Sequence, residues 1–288
     1  METGGGAVRT DNPFGRGLAS LLACGAMIFG VPASAQDATC GRSRETVRID
    51  SIDQRFEILL TDGRRILIAG VETGTLGDQQ ADRRGTVASW LEGRDAALSP
   101  LIGQPDRWGR IVAQIHASDG AGGEISVGYA LVDAGLARVK PQPELRGCLG
   151  DLFRAEAAAR QTRQGLWVDP AWAVRNTADP STFRDRTGEW LLIQGRIRSV
   201  NETRGRAYLN FGPSRSVDLA VTIPRQSAKS FERAGMVLKS LSGKIVRVRG
   251  LLETRFGPRI EIDMPEAIEV IADRQTSPEF RGRRQASP

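Results

Sequence analysis

One tyrosine and four arginines in the second half of the chain are of residue types that bind single-stranded nucleic acid. Tyr208 shares a predicted strand face with Asn210, opposite the apolar Ala207 and Leu209, because side chains alternate along a strand. An aromatic ring on such a face stacks on any base, and guanidinium groups beside it contact phosphates. The arginines spaced to share a face of their own strands are Arg196 and Arg198, and Arg247 and Arg249. If those two strands are neighbours, the four guanidiniums line a groove beside Tyr208.

The chain's formal net charge of +6 is concentrated in its second half. Residues 36–188 carry −1, residues 189–272 carry +5 and residues 273–288 carry +2. A positive domain attracts polyanions such as nucleic acid. Two simpler interpretations stay open here: the arginines are ordinary solvated side chains, and Tyr208 packs against a neighbouring strand or helix.

Cysteine and histidine do not form a metal site in this sequence. The only histidine is His116, and no cluster of cysteine and histidine has metal-ligand spacing. By the alternation of its strand, His116 is predicted to face solvent. We therefore expect no cofactor, with calcium as the exception if the protein is an enzyme of the kind discussed below.

The elements that must position these residues are short strands with a few helices, which predicts a mainly β, α+β protein. Residues 36–170 show this succession first, with an Asp62-Gly63 hairpin turn between two strands. The predicted strands lie at 47–52, 55–60, 65–71, 96–99, 111–117 and 136–139, and the helices at about 83–91, 126–134 and 144–164. This order predicts a first domain of strands and packed helices.

Residues 189–272 predict a second small OB-like β-barrel. Its strands are expected at 190–200, 207–212, 217–223, 244–250, 259–262 and 268–271, with a helix near 226–234. Gly195 stands where a long barrel strand would bend. Residues 171–188 lack periodicity and are predicted to be a linker, and the polar tail at 273–288 is predicted to be disordered.

Three phrases in the first domain carry a resemblance to a known family. They are Asp-Arg-Trp-Gly-Arg at 106–110, Leu-Val-Asp-Ala-Gly-Leu-Ala-Arg-Val at 131–139, and Glu-Ala-Ala-Ala-Arg at 156–160 leading to Gly-Leu-Trp at 165–167. In residue type, order and spacing they resemble the thermonuclease, or staphylococcal nuclease-like, family. The resemblance implies a five-stranded barrel of OB type with helices packed beside it. The second domain resembles the small barrel appended to some exported thermonuclease-like proteins.

The resemblance also implies a site for calcium-assisted cleavage of a phosphodiester. In such a site carboxylates hold the hard cation, a base orients the attacking water, and arginines neutralise charge on the phosphoryl oxygens. Active members supply these groups from an Asp-Gly-Asp-Thr run on the first hairpin and from an Arg-Leu-x-Gly-Ile-Asp-x-Pro-Glu run after the third strand. The final arginine of the Asp-Arg-Trp-Gly-Arg turn completes the set.

Only part of that set is present in this sequence. Arg110 matches the arginine of the polar turn, but Arg55 stands in place of a metal-binding aspartate. In the second run the leading arginine is Leu67, the metal-binding aspartate is Glu72 and the terminal glutamate, the base, is Thr75. One lost electrostatic donor costs about 2.7–4 kcal/mol, and a lost base costs roughly a further 10²–10⁴-fold in rate. The sequence therefore predicts a retained fold with a degenerate nuclease site.

Three functions are compatible with these residues. The leading hypothesis is an exported, non-catalytic protein that binds single-stranded nucleic acid or an envelope protein. The second is a divergent metal-dependent phosphodiesterase that cleaves DNA or RNA with Arg110, Glu72 and such groups as Asp53 or Glu45. The third is a periplasmic scaffold protein without affinity for nucleic acid.

The amino terminus predicts export. Arg9 and Arg16 precede an apolar stretch at about 18–31, and Ala-Ser-Ala at 33–35 forms a small-x-small cleavage site. Residues 1–35 are therefore expected to be a signal peptide, which leaves the protein in the periplasm or secreted, with no membrane span. A membrane anchor and a lipoprotein site at Cys24 are the alternatives. After cleavage two cysteines remain, Cys40 and Cys148, and an oxidising compartment favours a disulfide between them.

Overall fold

The computed structural model describes residues 44–53, 55–73 and 79–271. Two compact units meet at the Leu166–Trp167 peptide bond, and each is described by itself. The predicted signal peptide, Cys40, Thr75 and the predicted disordered tail lie outside the described residues. The Cys40–Cys148 disulfide and the export of the protein therefore stay predictions.

The first unit is a β-barrel with helices, as the sequence predicted. Its elements in chain order are β1 (Glu45–Ile52), β2 (Ile58–Leu60), β3 (Arg65–Ile68), β4 (Val71–Glu72), α1 (Gln79–Leu91), β5 (Asp95–Pro100), β6 (Arg110–Ser118), β7 (Glu124–Ser126), α2 (Val127–Asp133), β8 (Arg138–Val139) and α3 (Leu149–Gln161). Strand β1 pairs with β2, β2 with β3, β3 with β6, β6 with β5, and β5 again with β1. The ring is closed, with β3 and β6 parallel and the other pairs antiparallel.

Alternating apolar side chains fill this barrel. Ile49, Ile58, Ile66, Leu98 and Ile115 are each fully buried, and every such burial stabilises the fold by about 1.5–3 kcal/mol. On the opposite face of β6, His116 is also buried, at 8% exposure. The prediction that His116 faces solvent is wrong, because β7 pairs with β6 there and α2 packs on the same strand.

Two glycines explain two of the phrases that carry the family resemblance. Gly135 and Gly165 both have positive φ, at 68° and 53°. A Cβ on Gly135 would lie 2.4 Å from the carbonyl oxygen of Gln164, and one on Gly165 would lie 2.5 Å from the carbonyl oxygen of Gly135. The amide of Leu166 donates to the Gly135 carbonyl oxygen over 2.7 Å. The two segments cross so closely that only glycine fits at either position.

The phrase that leads to Gly165 also contains a buried carboxylate. Glu156 on α3 is 1% exposed, and its Oε1 accepts a hydrogen bond from the amide of Val139 over 2.8 Å. Its Oε2 lies 3.6 Å from Nη1 of Arg160. Glu156 therefore fastens α3 to β8, and the Glu-Ala-Ala-Ala-Arg phrase supports the fold.

The second unit has its own set of elements. In chain order they are β9 (Arg175–Asn176), β10 (Trp190–Arg196), β11 (Ser199–Glu202), β12 (Arg206–Asn210), β13 (Ala220–Pro224), α4 (Arg225–Arg233), β14 (Ile245–Glu253), β15 (Arg259–Glu261) and β16 (Ile268–Ile271), with short 3-10 helices between some of them. Strand β11 pairs with β12, β12 with β13, β13 with β15, β15 with β14, and β14 with β10. Only β13 and β15 are parallel among these five pairs.

Strands β10 and β11 behave as two halves of one bent strand. Ile197 and Arg198 lie between them, and the amide of Ile197 donates to Lys244 beside β14 while that of Arg198 donates to Asn210 of β12. Counted as one strand, β10 and β11 close the barrel, because they stand at the two ends of that pairing order. The helix α4 lies between the third and fourth strands of this barrel. This is the strand order and helix position of the first unit, so the second unit is an OB-like barrel as well.

Residues 171–188 are structured, although the sequence predicted a linker there. Two 3-10 helices, Pro170–Trp172 and Pro180–Phe183, flank β9, which pairs in parallel with β10. Trp172 and Phe183 are buried. The segment has no helix or strand period because its order comes from short turns, each capped by an aspartate before a proline. The second unit therefore begins near Trp167.

The helices of the described ranges are short or polar. None of them is long and apolar enough to cross a membrane.

Candidate functional site

A strained turn between β1 and β2 replaces the run that carries metal ligands in the family. The Oδ1 atom of Asp53 accepts hydrogen bonds from the amides of Arg55 and Glu57, each over 2.8 Å. The turn places the buried Phe56 at φ 60°, a conformation that bulky residues rarely adopt. The hydroxyl of Thr73 donates to the Arg55 carbonyl oxygen over 3.2 Å and holds the turn against the end of β4. The Asp53 carboxylate is therefore used to shape the chain.

Arg110 is enclosed by two carboxylates. Its Nε and Nη2 donate to Oδ2 of Asp106 over 2.9 and 2.7 Å, and its Nη1 donates to Oε1 of Glu57. Glu57 is only 7% exposed. The parallel register of β3 and β6 sets Arg65 beside Arg110, and Nη1 of Arg65 lies 4.0 Å from Oε2 of Glu57. We call these four residues, Glu57, Arg65, Asp106 and Arg110, the Arg110 cluster.

The protonation states of the Arg110 cluster follow from these bonds. Hydrogen bonds from the Arg110 side chain hold the pKa of the Asp106 carboxyl below its ordinary value. Burial acts to lower the pKa of Arg110, but its bonds to Asp106 and Glu57 outweigh burial and raise that pKa. The pair is therefore ionised at neutral pH, with the guanidinium fork turned inward.

Next to the Arg110 cluster, Trp108 presents its ring to solvent. The ring is 53% exposed, and the Cζ atoms of Arg107 and Arg110 lie 3.9 and 4.7 Å from its centroid. Asp106 orders the turn by accepting from the amides of Trp108 and Arg110. No carboxylate of the described ranges contacts the Arg107 guanidinium. This surface can stack on a planar ligand and attract an anion.

The other residues of the predicted nuclease site are engaged elsewhere. Oε2 of Glu72 lies 2.7 Å from Nζ of Lys140, and Leu67 is half-buried beside Val112. Among the described residues, no three carboxylate, histidine or cysteine side chains are grouped so as to hold a metal ion. Asp53, Glu57 and Glu72 each have partners within the protein, and Glu57 lies between two arginines, Arg65 and Arg110. These donors do not fit a calcium site.

Glu57 is the residue that the sequence analysis missed. Residues 55–60 were predicted as one regular strand, in which Glu57 is an unremarkable polar position. The positive φ of Phe56 breaks that strand, and β2 begins only at Ile58. The only hint in the sequence is the hairpin that sets Arg65 opposite this segment.

In the second unit the structure separates Tyr208 from two of its predicted partners. Tyr208 is half-buried on β12, between Asn201 of β11 and Thr222 of β13. Arg247 and Arg249 lie on β14, where that strand pairs with β10 and β16. Strands β13 and β15 lie between β12 and β14 in the pairing order. The predicted groove with four arginines beside Tyr208 is not formed.

The arginines of β14 form ion pairs. Nη1 of Arg247 lies 3.5 Å from Oε2 of Glu269 and its Nη2 donates to Gln194 over 2.8 Å. Arg249 is 2% exposed and pairs with the other oxygen of the same carboxylate. Arg196 is exposed and donates to the Gly243 carbonyl oxygen over 2.7 Å, and Arg198 is exposed as well. Of the four predicted arginines, Arg198 remains the one best placed for an external anion.

The sequence of the first unit agrees with this geometry. Residues 88–169 match the family described as staphylococcal nuclease homologue. With its closed barrel, the first unit is therefore a staphylococcal nuclease-like domain, and a nuclease-related or nucleic-acid-binding function follows from it in general terms. The matched region includes the Arg110 turn and begins after the segment at 53–73. No curated protein matches the chain.

Proposed function

We propose that this protein is an exported, catalytically degenerate relative of the nucleases that binds nucleic acid. The family match supports a role with nucleic acid, and the sequence of residues 1–35 supports export. The Arg110 cluster supports the loss of catalysis. Its arginine is held by Asp106 and Glu57, and Arg55, Leu67 and Thr75 replace a metal ligand, an arginine and a base.

The observation that carries the proposal is the inward fork of Arg110. A catalytic arginine stabilises a phosphoryl transition state with donors aimed at the phosphate. Here Asp106 takes two of those donors and Glu57 takes a third. Opening the cluster to a phosphate would take the bond of Arg110 away from the buried Glu57 and leave that carboxylate only the 4.0 Å contact with Arg65, which disfavours the opening because a buried charge that loses a partner is destabilised.

Binding requires less than catalysis, and the surface around Trp108 can supply it. An exposed indole with the unpaired Arg107 beside it combines a stacking platform with a cation. Arg65 adds a second exposed guanidinium, which donates to the Trp108 carbonyl oxygen. Single-stranded nucleic acid offers unstacked bases and phosphates in alternation, so it suits this surface better than a duplex does.

Digestion of denatured DNA in millimolar calcium tests the loss of catalysis. We expect no cleavage at enzyme-like rates by the purified protein. The triple variant Arg55→Asp, Leu67→Arg and Thr75→Glu should gain calcium-dependent cleavage if the barrel still positions those three sites. Cleavage by the unaltered protein that is abolished by a chelator and by Arg110→Ala would contradict the proposal and support a divergent phosphodiesterase.

Fluorescence anisotropy of a labelled single-stranded oligonucleotide tests binding. Trp108→Ala should weaken binding by about 1–3 kcal/mol if a base stacks on the ring, whereas Trp108→Phe should retain most of it. Affinity should fall as salt rises. Absence of binding at low salt would leave the scaffold hypothesis in its place.

A further inference from the structure

The loop between β14 and β15 presents an aromatic ring to solvent. Phe256 in this loop is 76% exposed, more than any other large apolar side chain in the described ranges. The guanidinium of Arg255 lies 5.2 Å from its ring centroid. A single exposed phenylalanine is common on protein surfaces. Phe256 differs because it stands on a tightly packed loop among exposed arginines.

The loop that carries Phe256 is packed tightly against a second loop, at residues 212–218. Gly257 has φ 99°, and a Cβ there would lie 2.1 Å from the Arg215 carbonyl oxygen. The Pro258 carbonyl oxygen accepts from the amide of Ala220 over 3.0 Å. Oδ2 of Asp218 in turn accepts from the Ser214 amide over 2.8 Å and orders the second loop. The two loops thus form one surface whose shape is set before any ligand arrives.

This surface is positively charged and contains a second apolar side chain. Arg215 and Arg255 are exposed, and so is Val217, at 54%. Arg198 lies at the same end of the sheet, because its amide bonds to the last residue of β12. We call this group, Arg198, Arg215, Val217, Arg255 and Phe256, the Phe256 patch.

Among the residues that the structure describes, the arginines of the Phe256 patch differ from the others nearby in having no carboxylate partner. Arg206 and Arg259 pair with Glu261 and Glu253, and Arg247 and Arg249 pair with Glu269. Within the described part of the chain, the guanidiniums of Arg198, Arg215 and Arg255 contact no carboxylate. An anion that binds them displaces only water, whereas one that binds a paired arginine must also break an ion pair.

The Phe256 patch continues into a polar strand face. Arg259 follows the Phe256 loop directly and belongs to the same face of the sheet as Tyr208, Thr222 and Glu261, by the register of β12, β13 and β15. The opposite face of these strands is buried as Leu209, Val221 and Ile260. Thr222 on this face is buried and bonded to Glu261, so the half-buried Tyr208 and the ion-paired Arg206, Glu261 and Arg259 form the part of the face that extends from the patch across the barrel.

We propose that the Phe256 patch is a second site for single-stranded nucleic acid. A base stacks on Phe256, phosphates contact Arg198, Arg215 and Arg255, and the strand continues over the face that holds Tyr208. The ligand class rests on the function proposed above, while the site lies in the other unit of the chain. Tyr208 and Arg198 were both predicted from the sequence to bind nucleic acid, whereas the predicted Arg247 and Arg249 pair with Glu269 instead.

Single-stranded nucleic acid fits this surface better than a lipid bilayer does. A peripheral membrane site needs a larger apolar area beside its cations, and here the two exposed apolar residues border a polar sheet. A duplex presents no base face for Phe256 to stack on. Charge complementarity and the row of polar groups instead suit an extended polyanion whose bases are accessible.

Three substitutions of one residue test the stacking contact, with the purified full chain and a labelled oligothymidine of about 15 nucleotides. Phe256→Ala should weaken binding by about 5- to 150-fold. Phe256→Trp should bind at least as tightly as the unaltered protein. Phe256→Leu keeps an apolar side chain but no ring, so it should behave as the alanine variant does. Thermal melting checks that each variant is folded.

The salt dependence of binding tests the phosphate contacts. Arg215→Ala with Arg255→Ala should reduce the slope of log affinity against log salt by about 1.4, which is about 0.7 for each lost phosphate contact. The matched control is Arg225→Ala with Arg233→Ala. It removes two exposed arginines of α4 and should leave the slope unchanged.

The outcomes separate this inference from the proposed function. Binding that depends on Trp108 and is indifferent to Phe256 and to the arginine pair would overturn the inference and leave the proposed function intact. Binding that depends on Phe256 alone would support the inference and reject the Trp108 surface. The inference would be overturned if Phe256→Leu bound the oligonucleotide as tightly as the unaltered protein. It would also be overturned if the protein sedimented with phosphatidylserine vesicles in a Phe256-dependent way and did not bind the oligonucleotide. Absence of oligonucleotide binding at low salt would overturn both.

Discussion

Asp106 is the residue on which the polar turn of the nuclease-like domain depends. One of its oxygens accepts from the amides of Trp108 and Arg110, and the other accepts from two nitrogens of the Arg110 side chain. The carboxylate of Asp106 therefore holds the backbone of the turn that carries the exposed Trp108, and it also binds the Arg110 side chain. The Arg110 guanidinium, a group that binds phosphates in other sites, is here bound to carboxylates of the protein itself.

Asp106→Asn tests this role through its pH dependence. The amide keeps an acceptor for the turn but loses the charge that pairs with Arg110. Since the pKa of Asp106 is lowered in the folded state, its stabilising contribution is present above the unfolded pKa and is lost as pH falls through the folded pKa. We expect the variant to melt below the unaltered protein at neutral pH, with the difference shrinking as pH falls below about 3.9.

Asp50→Asn is the matched control for that experiment. Asp50 is an exposed carboxylate of β1 whose bond in the structure is to the adjacent Ser51 hydroxyl. The Asp50→Asn substitution should change the melting temperature little, both at neutral pH and at acidic pH. A gap between Asp106→Asn and the unaltered protein that stayed constant from neutral to acidic pH would show that the charge of Asp106 contributes nothing.

At the scale of elements, two of the three phrases that resemble the family hold α2, α3 and β8 together. Gly135 and Gly165 let two chain segments cross, and Glu156 joins α3 to β8. These contacts do not depend on catalysis, since none of these residues belongs to the Arg110 cluster. These two phrases therefore support the fold whether or not the segment at 53–73 carries the residues of a nuclease site.

The Gly135→Ala substitution measures how much the crossing of Gly135 and Gly165 contributes to the free energy of unfolding. A non-glycine residue in the left-handed region costs about 1–2 kcal/mol, and the added Cβ would also meet the Gln164 carbonyl oxygen at 2.4 Å. The control is Gly63→Ala, a turn glycine at φ 86° with nothing within 4 Å of the added Cβ. Chemical denaturation of both variants should show a larger loss for Gly135→Ala, and equal losses would mean that the chain relaxes around the contact.

At the scale of the whole molecule, two barrels with one strand order follow each other along the chain. In each unit the third and fifth strands of the ring run parallel, and a helix lies between the third and fourth strands. The second unit adds residues 167–188 to its barrel through β9 and the buried Trp172 and Phe183. Each unit has a buried core of its own.

Fragments of the second unit test where it begins. A fragment of residues 167–271 should unfold cooperatively on heating. A fragment of residues 189–271 lacks three buried aromatic residues, Trp167, Trp172 and Phe183. Truncation of one buried aromatic side chain to alanine costs about 3–5 kcal/mol, so this fragment should be much less stable or unfolded. Equal melting temperatures would restore the interpretation of residues 171–188 as a linker.

The mass of the protein recovered from its producing cells tests export and the disulfide together. We expect a chain that begins at or near Gln36 and contains no alkylated cysteine until it is reduced. Loss of a native disulfide typically costs about 2–5 kcal/mol, so reduction should lower the melting temperature. A mass that includes residues 1–35, or two cysteines alkylated without reduction, would contradict the prediction.

The barrel of the first unit and the family to which residues 88–169 relate could both be predicted from sequence. The alternation of apolar residues such as Ile111, Ala113 and Ile115 predicts a strand whenever one face of that strand packs against the core. This alternation is a local property, because it depends on a few neighbours along the chain. The crossing of Gly135 with Gly165 joins segments that are far apart in sequence, so only the structure revealed it.

Only the tertiary structure decided which charged groups meet. Glu57 reaches Arg110 because Phe56 takes a positive φ, and Arg247 and Arg249 turn to Glu269 because β16 lies beside β14. Phe256 lies beside Arg215, which contacts no carboxylate of the described residues, because two loops that are far apart in sequence pack together. Ion pairs and binding surfaces join residues through space, so the period of a strand predicts which face a side chain occupies but not which partner it finds there.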